Sequence, residues 1–172
     1  MKLFAKLNQF SRQRTAWTLL VCCALGLEVT ALYFQHVMSL APCVMCIYER
    51  IAMLGIAFGG LIGIVGCKRL LLRLSAVGLW LYSSIQGVLL GMEHVGYQID
   101  PSPFATCTVL LNFPSWLPLD QWIPAFFKAS GDCSDIVWQW LNLSMPQWLL
   151  VIFVANAVIA TLVLISQVFR AR

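Results

Sequence analysis

Residues Cys43-Val44-Met45-Cys46 form a C-x-x-C pair preceded by Pro42. Such a pair has three uses. Zinc would need two further ligands. His36, His94, Cys107 and Cys133 are conceivable, but they form no second tight pair. A purely structural disulfide across two residues closes almost no loop and so stabilises little. Redox chemistry needs a reactive thiolate. A helix N-terminus supplies one, because its dipole favours negative charge on the sulfur. The redox reading is preferred, and no metal is expected.

Arg50 follows Cys46 by four residues, so the two share a helix face. A guanidinium there favours the thiolate. The alternative is an interfacial arginine that reaches to headgroups or pairs with Glu49. Cys107 and Cys133 enclose 25 residues. Alone they would read as a structural disulfide. Beside a redox C-x-x-C they could exchange with it by thiolate attack.

The elements that position these residues are membrane helices. Only 10% of the 172 residues are charged and 60% are hydrophobic, against about 25% charged in soluble domains. A helix needs about 20 mostly apolar residues to cross a bilayer. Segments 16–34, 47–65, 74–92 and 147–166 qualify. The expected fold is an all-α bundle of four transmembrane helices in one membrane domain, residues 1–172. The basic N-terminus and its long apolar run read as a retained anchor rather than a cleaved signal peptide.

Lys2, Lys6, Arg12, Arg14, Lys68, Arg69, Arg73, Arg170 and Arg172 fall on one side of this arrangement. By the positive-inside rule that side is cytoplasmic. This also accounts for the net charge of +4 without nucleic acid. The loops 35–46 and 93–145 then face out, with Cys43, Cys46, Cys107 and Cys133, into a compartment where disulfides persist. Cys22, Cys23 and Cys67 stay in or under the membrane as ordinary thiols. The long loop contains Pro101, Pro103, Pro114, Pro118 and Pro124, so it should be mostly irregular. Trp116, Leu117, Trp122, Ile123, Phe126 and Phe127 within it either lie on the bilayer surface or form a small packed cap.

Two electrons per disulfide need an acceptor. No G-x-G-x-x-G follows a strand, so no dinucleotide domain is expected. Gly55, Gly59 and Gly63 form a small-xxx-small stripe roughly opposite Arg50, a device for close helix packing. A lipid-soluble quinone suits an apolar bundle best. Arg50, His36 and His94 could offer donors to its oxygens, although His94 also reads as a plain interfacial residue. Glu28 lies inside the first span, either functional or a neutral carboxyl bonded to another helix.

The sequences Pro42-Cys43-Val44-Met45-Cys46-Ile47-Tyr48-Glu49-Arg50, Pro101-Ser102-Pro103-Phe104-Ala105-Thr106-Cys107, Ser130-Gly131-Asp132-Cys133 and Met145-Pro146-Gln147-Trp148-Leu149-Leu150 resemble, in order, signatures of the disulfide bond formation protein B (DsbB) family. The resemblance covers nearly the whole chain. It implies a thiol oxidase of the bacterial inner membrane that binds ubiquinone or menaquinone and reoxidises a periplasmic DsbA-like dithiol oxidase. It implies Cys43–Cys46 as the pair coupled to quinone and Cys107–Cys133 as the pair facing DsbA. Arg50 would sit at the quinone with His94 nearby, and Met145 is a further candidate contact. DsbA is a known strong oxidant at roughly −120 mV, so its acceptor must be more oxidising than the glutathione pool. Two other readings are a vitamin K epoxide reductase-like enzyme, whose C-x-x-C lies near a late helix, and a membrane scaffold with static disulfides.

The partner thiol is expected to attack Cys107 rather than Cys133. Pro101 and Pro103 bias the preceding chain toward an extended form that docks along a groove. Asp132 makes Cys133 the poorer leaving thiolate.

Overall fold

The computed structural model describes residues 2–100 and 113–168. Cys107, with Pro101, Ser102 and Pro103, lies outside them, as do Arg170 and Arg172. Among the described residues, four helices are long and apolar enough to cross a membrane: α2 (Arg14–His36), α3 (Val44–Gly66), α4 (Leu70–Ile99) and α7 (Met145–Ser166). All four expected spans are present, and the chain is a multi-pass membrane protein. Between α4 and α7 lie two single-turn helices, α5 (Leu119–Trp122) and α6 (Pro124–Phe127), and a hairpin of β1 (Gln139–Trp140) and β2 (Leu143–Ser144).

The observed helices outrun the apolar windows. The third expected span ends at residue 92, but α4 continues to Ile99. His94 therefore sits on a rigid helix rather than at the start of a loop. Hydropathy marks where lipid ends, whereas the helix stops only where its backbone bonds do. An additional helix, α1 (Lys2–Ser11), was not expected. It packs against the end of α7, where Asn8 donates through Nδ2 to the Ser166 carbonyl at 2.9 Å.

Helices in lipid gain little from apolar burial against one another, so close packing and hydrogen bonds must hold them together. α3 is the central element and packs on both α2 and α4, while α4 also packs on α7. Glycines set these approaches. A Cβ at Gly59 would come within 3.1 Å of the Trp80 nitrogen and the Ala76 carbonyl oxygen on α4. A Cβ at Gly63 would overlap the Trp17 ring, and one at Gly87 would overlap Phe153, which is fully buried. Trp17 meets Trp80 edge-on at 6.2 Å. Each indole N–H has its own acceptor: Trp17 donates to the Ser11 carbonyl at 2.8 Å and Trp80 to Asn156 Oδ1 at 3.0 Å. In contrast, α2 and α7 have no extensive packing on each other. A slot stays open between them at the end of the bundle that carries the C-x-x-C pair.

Candidate functional site

Cys43 is the N-cap of α3. Its sulfur accepts from the Cys46 backbone N–H at 3.2 Å, one of the donors a helix start leaves unpaired. The expected C-x-x-C at a helix N-terminus is thus present. The two sulfurs are thiols 2.8 Å apart, with Cys43 buried and Cys46 half-buried. One helical turn further, Glu49 and Arg50 are both buried.

His94 reaches this pair from α4. Its Nε2 is 3.4 Å from Cys43 Sγ and its Nδ1 is 3.2 Å from Glu49 Oε1. With Glu49 ionised, its oxygen can only accept, so Nδ1 would carry the hydrogen and Nε2 would present a lone pair to the thiol. The result is a carboxylate–imidazole–thiol chain with all three residues buried. Sequence spacing makes Glu49 only a neighbour for Arg50. The signal that it pairs with His94 instead is a contact 45 residues apart, invisible to local spacing.

Arg50 takes different partners. Its Nη1 donates to Gln35 Oε1 at 3.0 Å and to the Phe126 carbonyl. Its Nε lies 3.5 Å from Glu28 Oε2, and its guanidinium stacks 4.9 Å above the Phe126 ring. Glu28 is therefore a cross-helix partner of α3. Among the described residues, Arg50 Nε and Glu28 Oε2 are nonetheless buried without a hydrogen bond. His36, a candidate donor from the sequence, is turned away and bonds the Ala125 carbonyl at 2.9 Å.

These groups meet at one cavity of about 670 Å³ including its open mouth. Cys46, Arg50 and Glu28 line it, and so do His94 and Met145. Of the residues expected at a quinone, Arg50, His94 and Met145 thus face one space, and His36 does not. Met145 is placed there by the start of α7. Gln147 Oε1 accepts from the Ser144 N–H at 2.9 Å, and Ser144 Oγ donates to Gln98 at the end of α4 at 2.6 Å.

The second pair approaches from the loop. Ser130 and Gly131 donate their N–H groups to the Pro42 carbonyl at 2.9 and 3.0 Å. A Cβ at Gly131 would collide with the Ala41 carbonyl, so only glycine permits this seat. It delivers Cys133, 1% exposed and disulfide-bonded, into one small apolar cluster with Cys43 and Met45. Asp132 beside it accepts from the Ser134 N–H at 2.9 Å and Oγ at 2.8 Å. Those bonds hold its pKa below the usual carboxylate value, so it is charged at physiological pH. The interfacial stretch divides. Trp116, Trp122 and Ile123 are exposed, as a surface-lying segment would be, while Phe127 is buried in the cap over the site.

A family model for disulfide bond formation protein DsbB matches residues 13–163. The chain belongs to the DsbB family. It is 53% identical to a disulfide bond formation protein B of Vibrio parahaemolyticus, over all of this chain and 97% of that one. It is 50% identical to that of Vibrio vulnificus over the full length of both. The Yersinia pestis protein is 55% identical over 96% of this chain and 94% of its own. Membership of the DsbB family carries a role in disulfide bond formation, and hence thiol oxidoreductase chemistry.

Proposed function

We propose that this protein oxidises a periplasmic, thioredoxin-like dithiol oxidase of the DsbA type and hands the electrons to ubiquinone or menaquinone in the bacterial inner membrane. The single observation that carries the reading is the convergence of a helix-capping dithiol, buried Arg50 and Glu28, and an opening between α2 and α7, all on one cavity.

The cavity fits a quinone. Its walls are mostly apolar, and Arg50 Nε, 3.5 Å from Glu28 Oε2, is a buried donor without a hydrogen bond among the described residues. An unpaired buried donor costs roughly 1–3 kcal/mol, which a carbonyl oxygen would relieve. Arg50, with His94 and Met145 on the same wall, would hold the ring. When bound, a quinone supplies a two-electron, two-proton sink.

The protein's own residues do the rest. The partner's thiolate attacks the Cys107–Cys133 disulfide at Cys107, forming a mixed disulfide and releasing Cys133 as a thiolate. Closure of the partner's own disulfide then releases Cys107. Cys133 already packs beside Cys43, so electrons pass between the pairs by exchange, which leaves Cys107–Cys133 oxidised and Cys43–Cys46 reduced. His94 Nε2 takes the Cys43 proton, and Glu49 balances the imidazolium. The two thiol protons equal the two that quinol formation consumes, so no net proton is required. Cys46 faces the cavity and is the sulfur that meets the acceptor.

The test is stoichiometry with purified protein, a reduced thioredoxin-like oxidase and a soluble quinone without oxygen. One quinol should form per disulfide. Disulfide formation that proceeds at the same rate without quinone would reject the reading.

A further inference from the structure

We propose that the dithiol form of the site is also a metal site, taking a zinc-class d10 cation through Cys43 Sγ, Cys46 Sγ and His94 Nε2. The sequence offers zinc no second tight pair; the fold supplies a third ligand from 51 residues away. The three ligand atoms lie within 4.8 Å of one another. Zn–S near 2.3 Å and Zn–N near 2.0–2.1 Å in a tetrahedron put sulfur and nitrogen about 3.6 Å apart. The Cys43–His94 separation is 3.4 Å. The sulfurs, at 2.8 Å, must open to about 3.8 Å. Cys46 is half-buried on the cavity wall and can make that adjustment by rotating.

The surroundings match a metal-binding histidine in a second respect. Such a histidine gives its other ring N–H to a carboxylate, which fixes the tautomer and raises its basicity. Glu49 Oε1 stands 3.2 Å from His94 Nδ1 in that role. Cys46 and His94 both line the cavity, from which a water or exchangeable ligand could take the fourth position. Binding replaces two thiol protons with one cation and leaves both sulfurs reduced. The disulfide form has no thiolates to offer. The site therefore exists in one redox state only, and a bound cation would lock the reduced protein until it is removed. That consequence rests on the proposed redox role of Cys43–Cys46. The binding itself does not.

The test uses full-length protein with Cys22→Ala, Cys23→Ala, Cys107→Ser and Cys133→Ser, which leaves Cys43, Cys46 and Cys67. Cadmium is the probe, read by thiolate-to-metal charge-transfer absorption without quinone or partner. The dithiol protein should bind one cadmium that zinc displaces, and the disulfide protein none. His94→Ala should weaken binding at least tenfold, and Glu49→Gln should weaken it measurably, since outer carboxylates are worth about 10–100-fold. His94→Cys should restore affinity with a more intense band, which guards against misfolding of the alanine variant. Absence of the band in dithiol protein would overturn the proposal. So would equal affinity in His94→Ala, which would mean chelation by the dithiol alone. Loss of quinone-dependent activity in any variant bears on the redox reading and not on this one.

Discussion

At the residue scale, the site sets different side chains beside the two sulfurs of the pair. His94 serves the buried sulfur of the pair, and Arg50 serves the cavity beside the other. Arg50→Ala should raise the apparent KM for quinone at least tenfold while the protein stays folded. Arg50→Lys should recover only part, because one ammonium cannot bond Gln35 and Phe126 and still face the cavity as a planar fork can. Glu28→Gln keeps the shape and removes the charge that orients Arg50 Nε. It should raise the same KM by a smaller factor. Steady-state quinone kinetics decide this, and unchanged values in all three would reduce Arg50 to an interfacial anchor. A second residue-scale prediction concerns attack order. A partner lacking its resolving cysteine should be trapped on Cys107 by peptide mapping. A predominant link to Cys133 or Cys43 would mean another relay.

At the element scale, α3 carries chemistry on one face and glycine packing on another, and the loop's seat on Pro42 brings Cys133 to Cys43. Gly131→Ala should push Ser130–Cys133 away from Ala41 and slow exchange between the pairs at least tenfold, with direct oxidation of a small dithiol unaffected. Stopped-flow quinone reduction with each donor would show it; equal slowing of both would mean a general folding defect. The stripe of Gly55, Gly59 and Gly63 was legible in the sequence as a packing device because helical spacing is local. So was the placement of Cys43 at a helix start, since Pro42 and the apolar run following it announce one. The Glu49–His94–Cys43 chain was not, because it depends on how α4 is rotated against α3. Helix α1 was missed because it is too short and polar to register as a span. The hairpin was also missed. Leu141, at φ 53°, occupies a left-handed turn position that favours glycine or asparagine.

At the scale of the whole molecule, Cys43, Cys46, Arg50, His94 and Cys133 lie at one end of the bundle, opposite the end where Lys68 and Arg69 connect α3 to α4 and Arg73 stands in the first turn of α4. The basic loop predicts that the reactive end faces out of the cytoplasm. In a background without any of the seven native cysteines, an impermeant thiol reagent applied to intact spheroplasts should label Gln121→Cys but not Arg12→Cys. The reverse would place the redox site in a reducing compartment and remove its function. The exposed Trp116, Trp122 and Ile123 would then rest at the outer leaflet, with the slot between α2 and α7 open to a lipophilic acceptor.

The central claim is an ordered path, from the partner through the loop disulfide and the C-x-x-C pair to quinone. The most direct measurement is the rate of quinone reduction in three proteins, each fed either the reduced partner or a small dithiol. The unaltered protein should reduce quinone with both donors. The Cys107→Ser/Cys133→Ser protein should fail with the partner and still work with the small dithiol. The Cys46→Ser protein should fail with both. Quinone reduction by the partner without Cys107 and Cys133, or by either donor without Cys46, would contradict the account.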